Sequence, residues 1–188
     1  MSATAIIINI LFVVCLTSSV ATRSVGLVTA DDKPSQKWKI SLVFALSQGL
    51  AAGIGYTFGR LFAHLIEYIA DYMVFAMMLV VAVKMFLDSM KVLKGKMLYT
   101  VTSEKDLFLL SIMAAMNTLL MSLMGPSFMP FGFWFFLFVI VAGFLWSFFA
   151  VRVDFKPGVI KKVSFIEFSA SVFMVVIAIL YLFSDIMK

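Results

Sequence analysis

The chain has 188 residues, of which 63% are hydrophobic and 13% charged, with 21 Phe, 14 Met and a mean hydropathy of +1.10. Soluble domains are roughly half apolar, so a water-exposed fold is excluded and an all-α integral membrane protein is expected. The net charge of +5 sits in short stretches between apolar runs, which argues against nucleic acid and for the headgroups of a lipid bilayer.

Six stretches reach the about 20 predominantly apolar residues that a spanning helix needs: 5–29, 38–59, 71–90, 107–129, 131–151 and 164–187. The first also resembles a secretory signal, since Ser19-Val20-Ala21 follows an apolar run. No basic residue precedes that run and Arg23 lies on its far side, so a retained span is expected. Its polar residues are Thr17, Ser18, Ser19 and Thr22, followed by Arg23. Segment 2 carries Ser47 and Gln48, and its Gly49-x3-Gly53 and Gly55-x3-Gly59 steps offer small faces for close backbone approach.

Segment 3 holds Lys84 and Asp88, a spacing that lets them pair on one helix face, although the lysine has a stem long enough to snorkel to the cytoplasmic interface. Segment 4 brings Asn117, Thr118 and Ser122, with Met113, Met116, Met121 and Met124. Segment 5 is aromatic on every face, a surface for lipid or for a membrane-protein partner. Glu167 lies inside the start of segment 6, where an ion pair with Arg23 or Lys84 is expected to relieve its desolvation.

Basic residues fix the topology. Arg23, Lys33, Lys37 and Lys39, then Lys91, Lys94, Lys96 and Lys105, then Arg152, Lys156, Lys161 and Lys162 fall on one face, and only Arg60 and Lys188 on the other. The richer face is cytoplasmic by the positive-inside rule, placing the chain in a cell inner (plasma) membrane with both termini non-cytoplasmic. At an offset of 97 residues, Met77, Phe86, Asp88, Met90 and Lys91 meet Met174, Phe183, Asp185, Met187 and Lys188. Two three-helix halves, 1–97 and 98–188, must enter the membrane in opposite senses, so the expected arrangement is a 3+3 inverted repeat.

The lone His64 and lone Cys15 supply no metal cluster or thiol pair. The four segment 4 methionines would suit only a soft ion such as Cu(I), and methionine is more often adaptable packing. With no nucleophile and base pair, phosphate loop or cofactor motif, neither an enzyme nor a bound cofactor is expected.

Residues 42–59 (LVFALSQGLAAGIGYTFG), residues 82–90 (AVKMFLDSM), and Lys161-Lys162 leading to Glu167 resemble the six-helix manganese exporters of the MntP-like family, in the lysine-exporter superfamily. The resemblance implies a membrane Asp in each of helices 1 and 4 and a Glu in helix 2, which together bind the exported ion. Those positions are Thr17, Asn117 and Gln48 here. Mn2+ prefers carboxylate, carbonyl and water oxygens, and a dehydrated divalent ion without countercharge meets a penalty of many kcal/mol, on the order of its Born energy. Thr17, Gln48, Asn117, Ser18 and Thr118 are therefore the residues of a substrate pathway or neutralised ion site, and Arg23, Lys84, Asp88 and Glu167 those of a membrane charge network. Two functions follow: a non-transporting membrane subunit or scaffold of a larger complex, or a secondary exporter of a cation or small solute.

Overall fold

The computed structural model describes residues 3–25, 27–28, 34–94, 99–100, 104–128, 133–152 and 157–183. They form helices α1 (Ala3–Thr17), α2 (Ser19–Val25), α3 (Pro34–Ile66), α4 (Ala70–Leu93), α5 (Glu104–Leu123), α6 (Gly125–Phe128), α7 (Phe133–Arg152) and α8 (Pro157–Phe183). A 3-10 turn, Glu67–Ile69, joins α3 to α4. Pro34 and Pro157 open α3 and α8, at the helix position where a missing N–H costs nothing. Six helical stretches are long and apolar enough to cross a membrane: Ile7–Val25, Gln36–Leu65, Glu67–Leu93, Glu104–Ser127, Trp134–Arg152 and Lys161–Phe183.

Segments 1, 2 and 4 differ from the sequence expectation, segment 4 being interrupted at Met124 between α5 and α6. The first ends at Val25 and is interrupted at Ser18, where Ser18 N bonds Cys15 O and Ala21 N bonds Ser18 O, both over three residues. Hydropathy is blind to such a break, because hydroxyls of neighbouring Thr and Ser can rebond freed carbonyls within an apolar run. Segment 2 extends well past Gly59 to Ile66; at 33 residues it is about 50 Å long, against about 30 Å of hydrocarbon. Arg60 and His64 near its end are exposed, and Tyr68 and Tyr72 beyond it are exposed aromatics of the kind that sit at headgroup depth.

Helix α3 lies along both α5 and α7, α4 lies along α8, and α1 and α2 run between α7 and α8. The close approach of α3 to α5 depends on glycine: a Cβ on Gly55 would stand 2.6 Å from Leu119 O, and one on Gly59 only 2.1 Å from Leu123 O. Gly53 faces open space instead, in a shallow apolar groove between α3 and α7 lined by Leu46, Leu50, Phe58 and Ile140. The central core packs Phe12, Leu16, Met78, Met85, Met121 and Met174. On one face of the bundle a two-residue parallel bridge pairs Leu27 with Tyr99 and Val28 with Thr100, and the Lys39 ammonium meets Glu104 across the starts of α3 and α5.

The segment 5 aromatics are partly spent inside the bundle. Trp38 of α3 packs on Phe144 and Phe148, the Arg152 guanidinium stands 3.6 Å over the Phe148 ring, and Tyr56 meets Phe136 edge-on. Trp134, Phe138 and Phe149 face outward. Of the repeat matches, Asp185, Met187 and Lys188 lie outside the described residues.

Candidate functional site

A bundle of apolar helices has few places for polar side chains, and each must find a partner within it. Twenty polar or charged side chains among the described residues are buried. Those of interest fall in two connected groups.

The first is a charge cluster between α2, α4 and α8. Arg23 Nη2 donates to Asp88 Oδ2 at 2.9 Å, with both side chains about nine-tenths buried. The i, i+4 pair anticipated from sequence is present, Lys84 Nζ standing 3.6 Å from the same Asp88 oxygen. Lys91 reaches the other oxygen at 3.5 Å from the helix end. Asp88 is thus the acceptor for three cations. Glu167 is buried beside Thr22, in the field of Arg23, Asp88 and Lys84. Its expected ion pair with Arg23 or Lys84 is not formed: the guanidinium bonds Asp88, and Glu167 Oε2 and Arg23 Nη1 both lack a hydrogen bond. Arg23, Lys84 and Lys91 converge on the Asp88 carboxylate instead.

The second group is uncharged and joins α3 to α5. Thr118 Oγ1 donates to Gln48 Oε1, and Ser122 Oγ donates to Thr118 O at 2.6 Å. The two groups meet at Asn117, whose Oδ1 accepts from Lys84 Nζ at 2.6 Å. An ammonium can only donate, so this contact fixes the amide with its NH2 directed away. That Nδ2, like Gln48 Nε2, is buried without a partner. Lys84 therefore does not snorkel to the interface: its side chain is one-third exposed, and its charge is held between Asn117 and Asp88.

Thr17 and Ser18 do not join either group by hydrogen bonds. Thr17 Oγ1 donates to Val13 O at 2.8 Å and Ser18 Oγ to Cys15 O at 2.7 Å, so both hydroxyls are used on their own helix at the break. From that region it is Ser19 that reaches α5, at Ala114 O, while the Trp146 indole of α7 caps Val14 O at 3.1 Å. Ser164 Oγ to Ser89 O and Ser24 Oγ to Ser147 Oγ tie further helices together. Serines this numerous give no sequence signal that distinguishes one pair from another.

Among the described residues no group of three His, Cys, Asp or Glu side chains could hold a metal ion. The methionines of segment 4 divide, with Met113 and Met116 outward and Met121 and Met124 in the core. Within the cluster three cations, Arg23, Lys84 and Lys91, face two carboxyl groups, Asp88 and Glu167, leaving no excess negative charge for a divalent cation.

The sequence has a counterpart among known protein families. A family profile described as "Putative manganese efflux pump" matches residues 32–179. The chain belongs to the MntP family. No curated protein and no solved structure matches it. The MntP match takes in Gln48, Lys84, Asp88, Asn117, Thr118 and Glu167 but begins after Thr17, Ser18 and Arg23. The chain is thus a multi-pass membrane protein of an efflux-pump family, whose central positions carry an amide and hydroxyl set joined to a lysine.

Proposed function

We propose that this MntP-family chain does not move divalent metal and serves as a membrane subunit or scaffold of a larger assembly, built on an exporter frame. One observation carries the reading: the Lys84 ammonium sits on Asn117 at 2.6 Å, so a position implied to hold a carboxylate for the cargo ion holds an amide bonded to a tethered cation. A second positive ion placed there would meet Lys84 at close range in a medium of low dielectric, with Asp88 already shared by Arg23, Lys84 and Lys91. Thr17, Ser18, Gln48, Asn117 and Thr118 are at most 1% exposed, which accords with a closed centre. Helix α3 lies along α5, and α7 along α1 and α2, contacts that become equivalent under a 3+3 inverted repeat exchanging helices 2 with 5 and 4 with 1. This supports retention of the frame, with residues 1–97 and 98–188 as the two halves. The basic loops support an inner-membrane location with non-cytoplasmic termini.

A second reading, export of a neutral or anionic solute, is favoured by the buried and unpartnered donors Gln48 Nε2 and Asn117 Nδ2, which suit an acceptor oxygen. Mn2+ flux into proteoliposomes decides the main claim. The purified chain is expected to give no flux above protein-free vesicles; saturable Mn2+ flux that disappears in Asp88→Asn or Glu167→Gln would overturn it.

A further inference from the structure

Three atoms of the charge cluster are buried without a hydrogen bond: Thr22 Oγ1, Arg23 Nη1 and Glu167 Oε2. They belong to two consecutive residues of α2 and to the α8 side chain beside them. Glu167 is 2% exposed, yet among the described residues no cation lies within ion-pair distance of it, Arg23 and Lys84 both being directed at Asp88. A lone ionised carboxylate at this depth is costly, and a hydroxyl neighbour does not neutralise it.

We infer that Glu167 is a proton-binding site inside the membrane, a carboxylic acid whose O–H donates to the Thr22 hydroxyl while Arg23 is held by Asp88. The proton removes the unpaired charge and gives Thr22 Oγ1 and Glu167 Oε2 their missing hydrogen bond. When the acid ionises to carboxylate and H+, Arg23 Nη1 is an unspent N–H donor on a cation whose field already reaches Glu167, and the guanidinium then bridges Asp88 and Glu167. The three orphan atoms thus have one partner set with the proton and another without it. The titratable groups on helices packed against α8 are Cys15 on α1, Arg23 on α2, and Asp71, the exposed Tyr72, Lys84, Asp88 and Lys91 on α4. Of these, Arg23, Asp88 and Lys84 are the ones whose charge reaches Glu167, and Asp71 is occupied with Tyr181 near the far end of α8. The site does not depend on whether the chain transports anything, so it stands or falls separately from the reading above.

Infrared difference spectra of the full chain in lipid, recorded between acid and alkaline buffer, provide the test. The expected result is one protonated-carboxyl carbonyl band that vanishes at alkaline pH, is absent in Glu167→Gln and persists in Asp71→Asn. A band that survives Glu167→Gln, or one lost only in Asp88→Asn, overturns the assignment. If Glu167→Gln fails to fold, Thr22→Val serves instead: loss of the acceptor should shift the band, and an unshifted band overturns the proposal.

Discussion

The two long seams of this bundle are held by different chemistry. Where α3 meets α5, glycines bring backbones into contact and a neutral Gln48–Thr118 bond lies between them. Where α4 meets α2 and α8, a buried carboxylate collects Arg23, Lys84 and Lys91. In lipid, apolar area gives little drive for helix association, so packing and polar contacts must supply it. The neutral seam depends on shape, with each polar bond contributing little. The charged seam depends on a few ions that are costly to leave alone.

Unequal sensitivity to substitution is the consequence. The largest loss is expected for Arg23→Ala, which strands Asp88 without its closest partner; breaking a buried ion pair costs about 3–5 kcal/mol. Reversible unfolding in mixed micelles measures it, and a loss no larger than that of an exposed Lys162→Ala control would show that the pair contributes nothing. Next comes Gly59→Val, whose new carbon would lie against the Leu123 carbonyl; overpacking of this kind costs about 1–3 kcal/mol. The same substitution at Gly53, which faces open space, should be nearly silent, and equal effects at the two sites would erase the seam's dependence on shape. Smallest is Thr118→Val, removing one interhelical hydrogen bond worth about 0.6 kcal/mol on average in membrane proteins. If it rivals Arg23→Ala, the contrast between the seams fails.

Hydropathy made the spans legible because an apolar stretch of membrane length has few other uses. The i, i+4 geometry of Lys84 and Asp88 was readable for a similar reason, since a helix puts those positions on one face. Long-range pairing was not. Arg23 and Asp88 lie 65 positions apart, and nothing local says whether an arginine at a helix end turns toward Asp88 or Glu167. Lys84 had two plausible fates, the interface or the core, and the amide of Asn117 on a neighbouring helix decided between them. Thr17 and Ser18 look like pathway residues in a linear reading, yet both hydroxyls serve the helix break, a use that leaves no trace in spacing.

The short backbone bridge between Leu27–Val28 and Tyr99–Thr100 has a mechanical bearing. It couples the stretch leaving the first span to the stretch entering the fourth, so these two stretches cannot separate at that face unless the paired strands part. A motion that keeps this bridge leaves the Tyr181–Asp71 hydrogen bond as a side-chain tie between α4 and α8 that must yield instead.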